Sequence, residues 1–394
     1  MKRVVVFRED LLPISQTFIK EQVVALKRWA PLLTGFRFVE GLDLRDLNCR
    51  LLSGWLPRRV ARKLVPPLRE LERVPVGMCR QLRDLAPALL HVHFATDLVA
   101  VWPLLKSVQA PILVTLHGYD INIYEEFWHG QGYAGRRYPA RLRQIARDPR
   151  VHFIAVSKAI QARAIEYGIP SEKIWVRYIG VDVARFTPAA LPISQRKRKI
   201  LFVGRMVEKK GARVLIRAFA QVRSRLSDAE LIMIGEGPDL AAAKQLAVDL
   251  NVPVSFEGKQ PSDVVLTLLN EARVLCLPSL TAANGDAEGL GIALLEAQAC
   301  GVPVVTSARG GATEGIIDGV TGFAFSEGDV DELSARLCAV LEDDDRALAM
   351  SHAAREFAVR TFDIRKCTHQ LEDLYEEVTE GVPGAAVPFS ATNA

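Results

Sequence analysis

The sequence predicts an α/β protein of two doubly wound domains, each with a parallel sheet covered by helices on both faces. Three observations lead to this prediction. Short, apolar, β-branched runs alternate with amphipathic stretches along nearly the whole chain. The chain has 394 residues, which is long for one domain and ordinary for two. One stretch, residues 186–199, carries two prolines and a basic run and interrupts the alternation.

Continuous apolar runs supply the predicted strands. In the first half of the chain they span residues 3–7, 90–94, 112–116, 153–156 and 174–178, and in the second half residues 200–203, 231–234, 254–256, 274–277 and 302–305. Uninterrupted apolar strands that alternate with helices are typical of a parallel sheet buried on both faces. Two doubly wound sheets therefore follow from the order of the elements.

The break at residues 186–199 sets the predicted boundaries. The N-terminal domain takes residues 1–186, a linker takes 187–199, and the C-terminal domain takes 200–360. A helix at 361–380 is able to pack back on the N-terminal domain, and the tail 381–394, rich in small residues and proline, is predicted to be disordered. We expect the two domains to face each other across a cleft that binds ligands beyond the carboxyl ends of the strands.

Composition excludes several classes of protein. The net charge of +4 gives no case for a nucleic-acid partner. The six cysteines form no CxxC pair, which argues against a zinc site or a disulfide framework and suits a reducing cytosol. The N-terminal apolar run is too short for a signal peptide, and no run approaches the roughly 20 apolar residues of a membrane span. We expect a soluble, cytoplasmic protein.

Two glycine-containing loops follow strands of the C-terminal half. The predicted strand 200–203 leads into Gly204, Arg205 and, just before a helix, Lys210. The two cations can converge on one anion beside the positive end of that helix, which outlines a pyrophosphate site. The alternative is a solvated loop that happens to be basic. The next strand ends at Gly235 and Gly237, which indicate either a ligand close to the backbone or a tight turn.

The stretch EGLGIALLE places a glutamate at each end of an apolar run. Glu288 lies in a loop before a helix predicted to begin near Leu290, and Glu296 lies in the second turn of that helix. Gly289 and Gly291 leave backbone N–H groups accessible at the helix N-terminus. A glutamate in an apolar helix needs hydrogen-bond partners, and sugar hydroxyls are suitable donors. The alternatives are an exposed helix face for Glu296 and a helix-dipole charge for Glu288.

The surrounding motifs resemble those of a known family. EGLGIALLEAQACGVPVV, GRMVEKKG, IGEGP, YIGVDVARFTP and GGATEGIIDGVTGFAF are similar to the signature of family 4 retaining glycosyltransferases of the GT-B fold, which has two Rossmann-like domains. In the N-terminal half, PISQTFIKEQ, HVHFA and VTLHGYDI resemble the branch that builds bacterial exopolysaccharides, of the colanic-acid type, and lipid-linked oligosaccharides. The matches run in the expected order from about residue 12 to residue 326.

The resemblance implies a role for each matching residue. Glu288 would hold hydroxyls of the donor sugar, Glu296 the ribose hydroxyls of the nucleotide, and His117 the sugar from the acceptor-side, N-terminal domain. Arg205 and Lys210 would neutralise the diphosphate. The implied donor-binding set comprises Gly204, Arg205, Lys210, Gly235, Gly237, Gly289, Leu290, Gly291, Ile292 and Glu296.

Some positions depart from the family pattern or allow another interpretation. The loop after the first strand, REDLLPIS, lacks the usual glycine pair, so the acceptor-side assignment of Ser15 rests on position alone. His91 and His93 share a strand face and are either a metal pair or, as we favour, a structural pair. Residues 343–345 form a DDD run whose D-x-D spacing fits a metal–nucleotide site, although a helix N-cap is the favoured interpretation.

The resemblance implies a retaining enzyme that moves a sugar from a nucleoside-diphosphate sugar to a saccharide or lipid-linked saccharide. It implies a role in cell-surface polysaccharide or glycolipid synthesis. Because positive side chains and a helix N-terminus can neutralise the diphosphate, we expect no metal and no cofactor besides the nucleotide sugar. Two other classes stay open. One is a nucleotide-sugar epimerase of the same architecture, which needs no acceptor. The other is a non-catalytic sugar-binding relative, against which the intact set of Glu288, Glu296, Arg205 and Lys210 argues.

Residues 50–83 are rich in arginine. Apolar residues recur there at spacings close to a helical face, namely Trp55, Leu56, Val60 and Leu64, and Arg58, Arg59 and Arg62 lie between them. Apolar anchors beside arginines are typical of an interfacial helix on an anionic membrane. The alternative is an ordinary amphipathic helix with a solvated basic face. The resemblance favours the membrane, because this branch acts on lipid-linked acceptors at the inner membrane face.

We predict salt-sensitive binding to vesicles that contain anionic lipid. Reversing Arg58, Arg59 and Arg62 to glutamate should weaken it, because each basic residue near an anionic surface contributes about 1 kcal/mol. Flotation at low and high salt measures the effect. A wild-type protein that stays with the soluble fraction at low salt would show that the segment is structural.

Overall fold

The computed structural model describes residues 1–52 and 74–381, which form two compact units. Unit 1 comprises Met1–Tyr178 together with the chain from Cys367 onward, and unit 2 comprises Ile179–Lys366. Two predictions lie outside the described residues. They are the basic cluster of Arg58, Arg59 and Arg62, and the tail beyond residue 381.

Unit 1 is organised around one parallel sheet. Its strands are β1 (Arg3–Phe7), β2 (Asp10–Leu11), β3 (Ala30–Gly35), β4 (Arg37–Phe38), β5 (Cys49–Leu51), β6 (Leu89–His93), β7 (Ile112–Leu116), β8 (Val151–Ala155) and β9 (Ile174–Val176). β2 and β4 pair separately, and the others form a sheet in the order β5-β3-β1-β6-β7-β8-β9 with parallel neighbours. All five residues of β7 are buried, as expected of a strand covered on both faces.

Helices cover the sheet of unit 1. They are α1 (Thr17–Ala25), α2 (Val76–Asp84), α3 (Ala95–Ala100), α4 (Trp102–Leu105), α5 (Tyr119–Asn122), α6 (Glu125–His129), α7 (Gly132–Ile145) and α8 (Lys158–Glu166). In α2, Met78 and Leu82 are buried whereas Arg80 and Arg83 are exposed, so the described end of the arginine-rich segment is an amphipathic helix. Within the described ranges, no helix combines the length and the apolar character that crossing a bilayer requires.

Unit 2 repeats the design with six parallel strands in the order β12-β11-β10-β13-β14-β15. The strands are β10 (Lys199–Val203), β11 (Glu230–Ile234), β12 (Val254–Gly258), β13 (Val274–Leu277), β14 (Val304–Ser307) and β15 (Gly322–Phe325). The helices are α9 (Ala212–Arg225), α10 (Leu240–Asp249), α11 (Ser262–Glu271), α12 (Ile292–Ala299), α13 (Val330–Glu342), α14 (Asp344–Thr361) and α15 (Ile364–Glu380). The predicted class, two doubly wound parallel sheets, is confirmed.

Each sheet has one point where the winding reverses. In unit 1 the chain goes from β1 outward to β3 and β5, and then returns to β6 on the other side of β1. In unit 2 it goes from β10 outward to β11 and β12, and then returns to β13. Loops that leave the carboxyl ends of β1 and β6, or of β10 and β13, diverge and leave a crevice where ligands of such folds bind.

The last helix, α15, continues from unit 2 into unit 1 and packs on its core. Leu371, Leu374 and Tyr375 join the cluster of buried side chains under the sheet. The carboxylate of Glu372, 2% exposed, accepts hydrogen bonds from the backbone N–H groups of residues 27, 28 and 29. Trp29 Nε1 donates to Glu376 at 3.0 Å. The helix therefore supplies both apolar and polar contacts that complete unit 1.

Several local features differ from expectation. The sequence did not indicate β3, β5 or β15, because proline, arginine or glycine interrupts their apolar character. Residues 187–199 lie within unit 2, where Arg196 is buried and donates to the carbonyls of Leu269 and Ala272. Helix α12 begins two residues later than predicted, because Gly291 before it adopts a left-handed conformation with φ +79°.

Candidate active site

The loop after β10 forms a compact turn that points lysine side chains toward the neighbouring loop. A single 3₁₀ turn, Glu208–Lys210, is followed by Gly211 at φ +65° and then by α9. A Cβ on Gly211 would lie 1.8 Å from the carbonyl oxygen of Pro278, so only glycine fits this approach. Gly204 packs against the stem of Lys210, whereas Arg205 is exposed and its guanidinium group makes no hydrogen bond or ion pair to any described residue.

A buried ion pair joins this loop to the one after β13. Lys210 Nζ donates to Glu288 Oε2, and the side chains are 15% and 11% exposed. Ser279 Oγ donates to the same carboxylate oxygen at 3.4 Å. The pair lies in the crevice between β10 and β13, where the winding of unit 2 reverses. Two residues that the sequence predicted for separate roles, a diphosphate ligand and a sugar ligand, are therefore in contact.

The electrostatics of Glu288 follow from this contact. Burial raises the pKa of the carboxyl group, but the charges of Lys210 and Lys209 and the hydrogen bonds from Lys210 and Ser279 together outweigh burial and lower the pKa below its ordinary value of 4.5. Glu288 is thus a carboxylate at neutral pH and accepts hydrogen bonds. Such a group is suited to hold sugar hydroxyls, each of which has an O–H to donate.

A second ion pair, absent from the sequence prediction, fastens the same two loops. Lys209 Nζ donates to Asp286 Oδ1 at 2.8 Å, and both side chains are nearly buried. The carbonyl of Lys209 accepts the N–H of Leu280 at 2.7 Å, and Glu208 Oε1 accepts the N–H of Ala283 at 3.2 Å. Three consecutive residues, 208 to 210, therefore hold the loop 280–288. The signal in the sequence is limited to a second lysine beside Lys210 and a second acid two residues before Glu288.

The N-terminus of α12 lies after Glu288 in the same loop. Gly291 is its N-cap, and no side chain caps this end, so backbone N–H groups around Ile292 are available for an oxygen ligand. Leu290 is buried, and Gly310 approaches the carbonyl of Glu288 from the next loop. Glu296 is half-buried in the second turn of α12.

Gly235 and Gly237 allow two backbone segments of unit 2 to approach closely. A Cβ on Gly235 would lie 1.8 Å from the carbonyl oxygen of Gly204, and a Cβ on Gly237 would lie 2.3 Å from that of Met206. Met206 N–H also donates to the carbonyl of Glu236 at 2.8 Å. These glycines therefore let the loops after β11 and β10 touch through their backbones, which corresponds to the tight-turn alternative.

In unit 1, His117 follows β7, and Asp120 fixes its backbone. Asp120 Oδ1 accepts the N–H groups of His117 at 3.1 Å and of Gly118 at 3.0 Å, while Oδ2 accepts that of Ala95 at 2.9 Å. Burial raises the pKa of Asp120 to about 6, although the N–H groups oppose the shift. The ends of β6 and β7 are thus held together. Ser15 is exposed in the 3₁₀ turn Ile14–Gln16, and the next residue, Gln16, accepts a hydrogen bond from Arg8 at 3.2 Å.

The histidines of β6 form a structural pair rather than a metal pair. His91 bonds to Tyr375 Oη at 2.6 Å and to Thr115 Oγ1 at 2.7 Å, so both of its ring nitrogens have protein partners. His93 Nδ1 lies 3.1 Å from His117 Nε2. The described part of the chain contains no group of three or more His, Cys, Asp or Glu residues placed to hold a metal ion. Asp343 caps α14 by accepting the N–H of Arg346, as predicted.

The crevice of unit 1 also contains a buried ion pair. Arg8, directly after β1, donates to Asp97 Oδ2 at 2.6 Å and to the carbonyl of His93 at 3.1 Å. Its guanidinium carbon lies 4.5 Å from the ring centroid of Phe94, which has a φ of +74°. Positive φ is unusual for an aromatic residue and is found most often at functional sites. Sequence reasoning missed Arg8 and Asp97, since nothing local indicates their contact.

The fold and the crevices define a class of protein. Two doubly wound parallel units form the architecture of GT-B glycosyltransferases, and solved structures of that class match the chain. HepE from Anabaena, in complex with UDP-glucose, has a TM-score of 0.74 over 96% of this chain and 100% of its own, at 20% identity. Sucrose-phosphate synthase from Thermosynechococcus elongatus has a TM-score of 0.76 over 97% and 100%, at 19% identity.

Sequence comparisons identify the family within that class. Residues 48–185 match the model of Glycosyltransferase Family 4, and residues 184–357 match that of Glycosyl transferases group 1. The amylovoran biosynthesis glycosyltransferase AmsK of Erwinia amylovora is 32% identical over 74% of this chain and 70% of its own. The GDP-mannose-dependent alpha-(1-6)-phosphatidylinositol monomannoside mannosyltransferase of Mycolicibacterium smegmatis is 32% identical over 71% and 74%. The chain belongs to the family 4 glycosyltransferases, in the branch of bacterial polysaccharide and glycolipid synthesis.

The Glu288–Lys210 pair predicts a pH-dependent contribution to stability. A carboxyl group whose pKa is lower in the folded state stabilises that state above its unfolded pKa, and the contribution fades as the pH falls through the folded pKa. Glu288→Gln should cost about 1–3 kcal/mol of unfolding free energy at pH 7 and clearly less below pH 4. Denaturant titrations at both pH values measure this. Glu257→Gln, at an exposed position, is the control, and an equal cost at both pH values would contradict the assignment.

Proposed function

We propose that the chain transfers a sugar, with retention at the anomeric carbon, from a nucleoside-diphosphate sugar to a saccharide or lipid-linked saccharide acceptor. The observation that carries this proposal is the buried contact of Lys210 with Glu288 in the crevice between β10 and β13. It places a cation for a diphosphate and a carboxylate for hydroxyl groups side by side. A molecule that joins a diphosphate to a sugar is complementary to that pair.

The leaving diphosphate is the negative charge that the enzyme must stabilise. Lys210 has three N–H donors, so it can bind a phosphate oxygen while it keeps Glu288 in place. Arg205, whose exposed guanidinium group has no protein partner among the described residues, is available as a second cation. The N–H groups of residues 289–292 add the positive end of α12. Glu296 is proposed to accept hydrogen bonds from the ribose hydroxyls, and His117 to contact the donor sugar.

Retention follows from attack on the face that the leaving group vacates. The bond between the anomeric carbon and the phosphate oxygen breaks, and the acceptor oxygen bonds to that carbon from the same side. The acceptor proton passes to an oxygen of the departing phosphate. Lys210 and Ser279 both donate to Glu288, which supports its use as a hydroxyl ligand, and we therefore propose transfer without a covalent sugar–enzyme intermediate.

Relatives indicate which donors to test first. The mannosyltransferase of Mycolicibacterium smegmatis is named for GDP-mannose, and HepE was solved with UDP-glucose. A thermal-shift panel of GDP- and UDP-sugars should identify the donor before transfer is assayed. A ligand at 100 times its Kd adds about 2.7 kcal/mol to the free energy of unfolding, so binding is detected as a higher melting temperature. Release of nucleoside diphosphate should then depend on an added saccharide or polyprenyl-linked acceptor.

Arg205→Ala should weaken nucleoside-diphosphate binding without unfolding the protein. Charge-assisted contacts of this kind contribute on the order of 1.5–3 kcal/mol, so we expect a loss of about 10- to 150-fold in affinity. Titration calorimetry measures it. Lys259→Ala, which removes another exposed cation of unit 2, is the matched control and should bind as the wild type does. Equal affinity of the Arg205 variant and the wild type would refute the role of this arginine.

Transfer is predicted to be independent of divalent metal. Lys210, Arg205 and the N-terminus of α12 would supply the charge neutralisation that Mg²⁺ or Mn²⁺ supplies in other transferases. Activity should therefore persist after treatment with EDTA and dialysis. Activity that is lost and then restored only by Mn²⁺ or Mg²⁺ would overturn this part of the proposal.

A further inference from the structure

The contact between His93 and His117 is a hydrogen bond with a single proton. His93 Nδ1 and His117 Nε2 are 3.1 Å apart, and the two rings lie nearly parallel with centroids 5.3 Å apart. Burial lowers the pKa of both rings well below 6.5, and the charge of Arg8 lowers them further. Both imidazoles are therefore neutral at pH 7, so each carries one N–H and one bare nitrogen.

Only two arrangements of the protons make this hydrogen bond. In the first, His93 Nδ1–H donates to His117 Nε2, which leaves the proton of His117 on Nδ1. In the second, His117 Nε2–H donates to His93 Nδ1, which leaves the proton of His93 on Nε2. The remaining combinations place two protons or two lone pairs between the rings. The choice therefore depends on what surrounds His93 Nε2.

His93 Nε2 is buried and has no hydrogen-bond partner among the described residues. His93 is 1% exposed, so bulk solvent does not reach this nitrogen. Among buried backbone groups, an N–H without an acceptor is rarer than an acceptor without a donor, and we apply the same order to the imidazole nitrogens. The first arrangement leaves only a bare acceptor at this position, whereas the second leaves an orphaned N–H. The first arrangement is therefore the more stable.

We propose that His93 is a positioning residue that holds His117 in the tautomer with its proton on Nδ1. His117 then presents an N–H donor, not a bare nitrogen, to its ligand. His117 Nδ1 has no protein partner within the described residues, and its ring is half-buried, so this donor is available. The ligand chemistry that it fits is an oxygen acceptor, such as a sugar hydroxyl or ring oxygen. This last step rests on the proposed role of His117 toward the donor sugar.

The neighbouring aromatic side chains hold the planes of the two histidine rings in place. The ring of Phe94 lies 4.4 Å from that of His117 between centroids, and Phe18 lies 5.0 Å from it on another side. His91, held by Tyr375 and Thr115, stacks 4.4 Å from His93. These contacts fix the planes of the two rings, and the hydrogen bond between His93 Nδ1 and His117 Nε2 fixes the edge that each ring presents to the other. The hydrogen bond is thus built into the core of unit 1 before any ligand arrives.

Nitrogen NMR of ¹⁵N-histidine-labelled protein tests the tautomer directly. The chain has seven histidines, so His93→Asn and His117→Asn assign the two signals by loss. At pH 7.5 we expect His93 and His117 both to be protonated on Nδ1 and bare on Nε2. A wild-type His117 protonated on Nε2 would overturn the proposal. This measurement needs no substrate, so it is independent of the proposed function.

Two substitutions of His93 separate positioning from mere packing. Asparagine places an amide N–H where Nδ1 was, so His93→Asn should keep the tautomer of His117 and most of kcat/KM. His93→Phe removes the donor, and we expect a mixed tautomer and a loss of roughly tenfold in kcat/KM for the donor. Thermal melts check that each variant folds. If His93→Phe does not fold, the tautomer of His117 in the nitrogen NMR spectra of the wild type and of His93→Asn tests the proposal.

The outcomes distinguish this inference from the proposed function. A His93→Phe variant with the wild-type tautomer and wild-type turnover would refute positioning. A protein with the expected tautomer that transfers no sugar from any nucleotide sugar would support the tautomer and refute the proposed function. Full turnover with His117 protonated on Nε2 would support the proposed function and refute the tautomer.

Discussion

The strand order of the two parallel sheets is the constraint on which both crevices depend. Because the winding reverses beside β1 and beside β10, the loops at each reversal diverge and cannot cover one another. The opening of unit 1 contains the buried ion pair of Arg8 with Asp97, and that of unit 2 contains the pairs of Lys210 with Glu288 and Lys209 with Asp286. A buried charge needs a partner, so the crevice floor is stable only while its charges are matched.

The charge pairs of unit 2 also set the shape of the loop that they hold. Residues 280–288 have no regular secondary structure over most of their length, and such a segment loses conformational entropy when it is ordered. Two ion pairs and two backbone contacts with residues 208–210 offset that loss. A ligand that binds there meets an ordered site and does not have to organise it, which favours both affinity and correct orientation.

The sequence predicts the fold better than it predicts the contacts of the site. Strands such as β1 and β7 are recognisable because their interior residues are apolar or β-branched, whereas Pro31 in β3 interrupts such a pattern. Glu288 and Lys210 are identifiable singly from their motifs. Their mutual contact is not, because 78 positions separate them and only the order of the strands brings them together.

The same reason explains what sequence reasoning missed in unit 1. Asp97 and Arg8 are 89 positions apart, and neither belongs to a local motif. His93 and His117 were each noted, but a hydrogen bond between two rings depends on the register of β6 and β7, which pairs His93 with Thr115. Periodicity gives the face of a strand and does not give its register against a neighbour.

The place of α15 in unit 1 has a consequence for the way the chain folds as it is synthesised. Residues from Cys367 onward reach the ribosome exit about 190 residues after Tyr178, which at 5–20 residues per second takes roughly 10–40 s. During that time Trp29 and the N–H groups beside it lack Glu376 and Glu372. Until α15 is synthesised, the N-terminal part of unit 1 remains incomplete and accessible to chaperones. Nearly all elements of unit 2 are synthesised in the same interval.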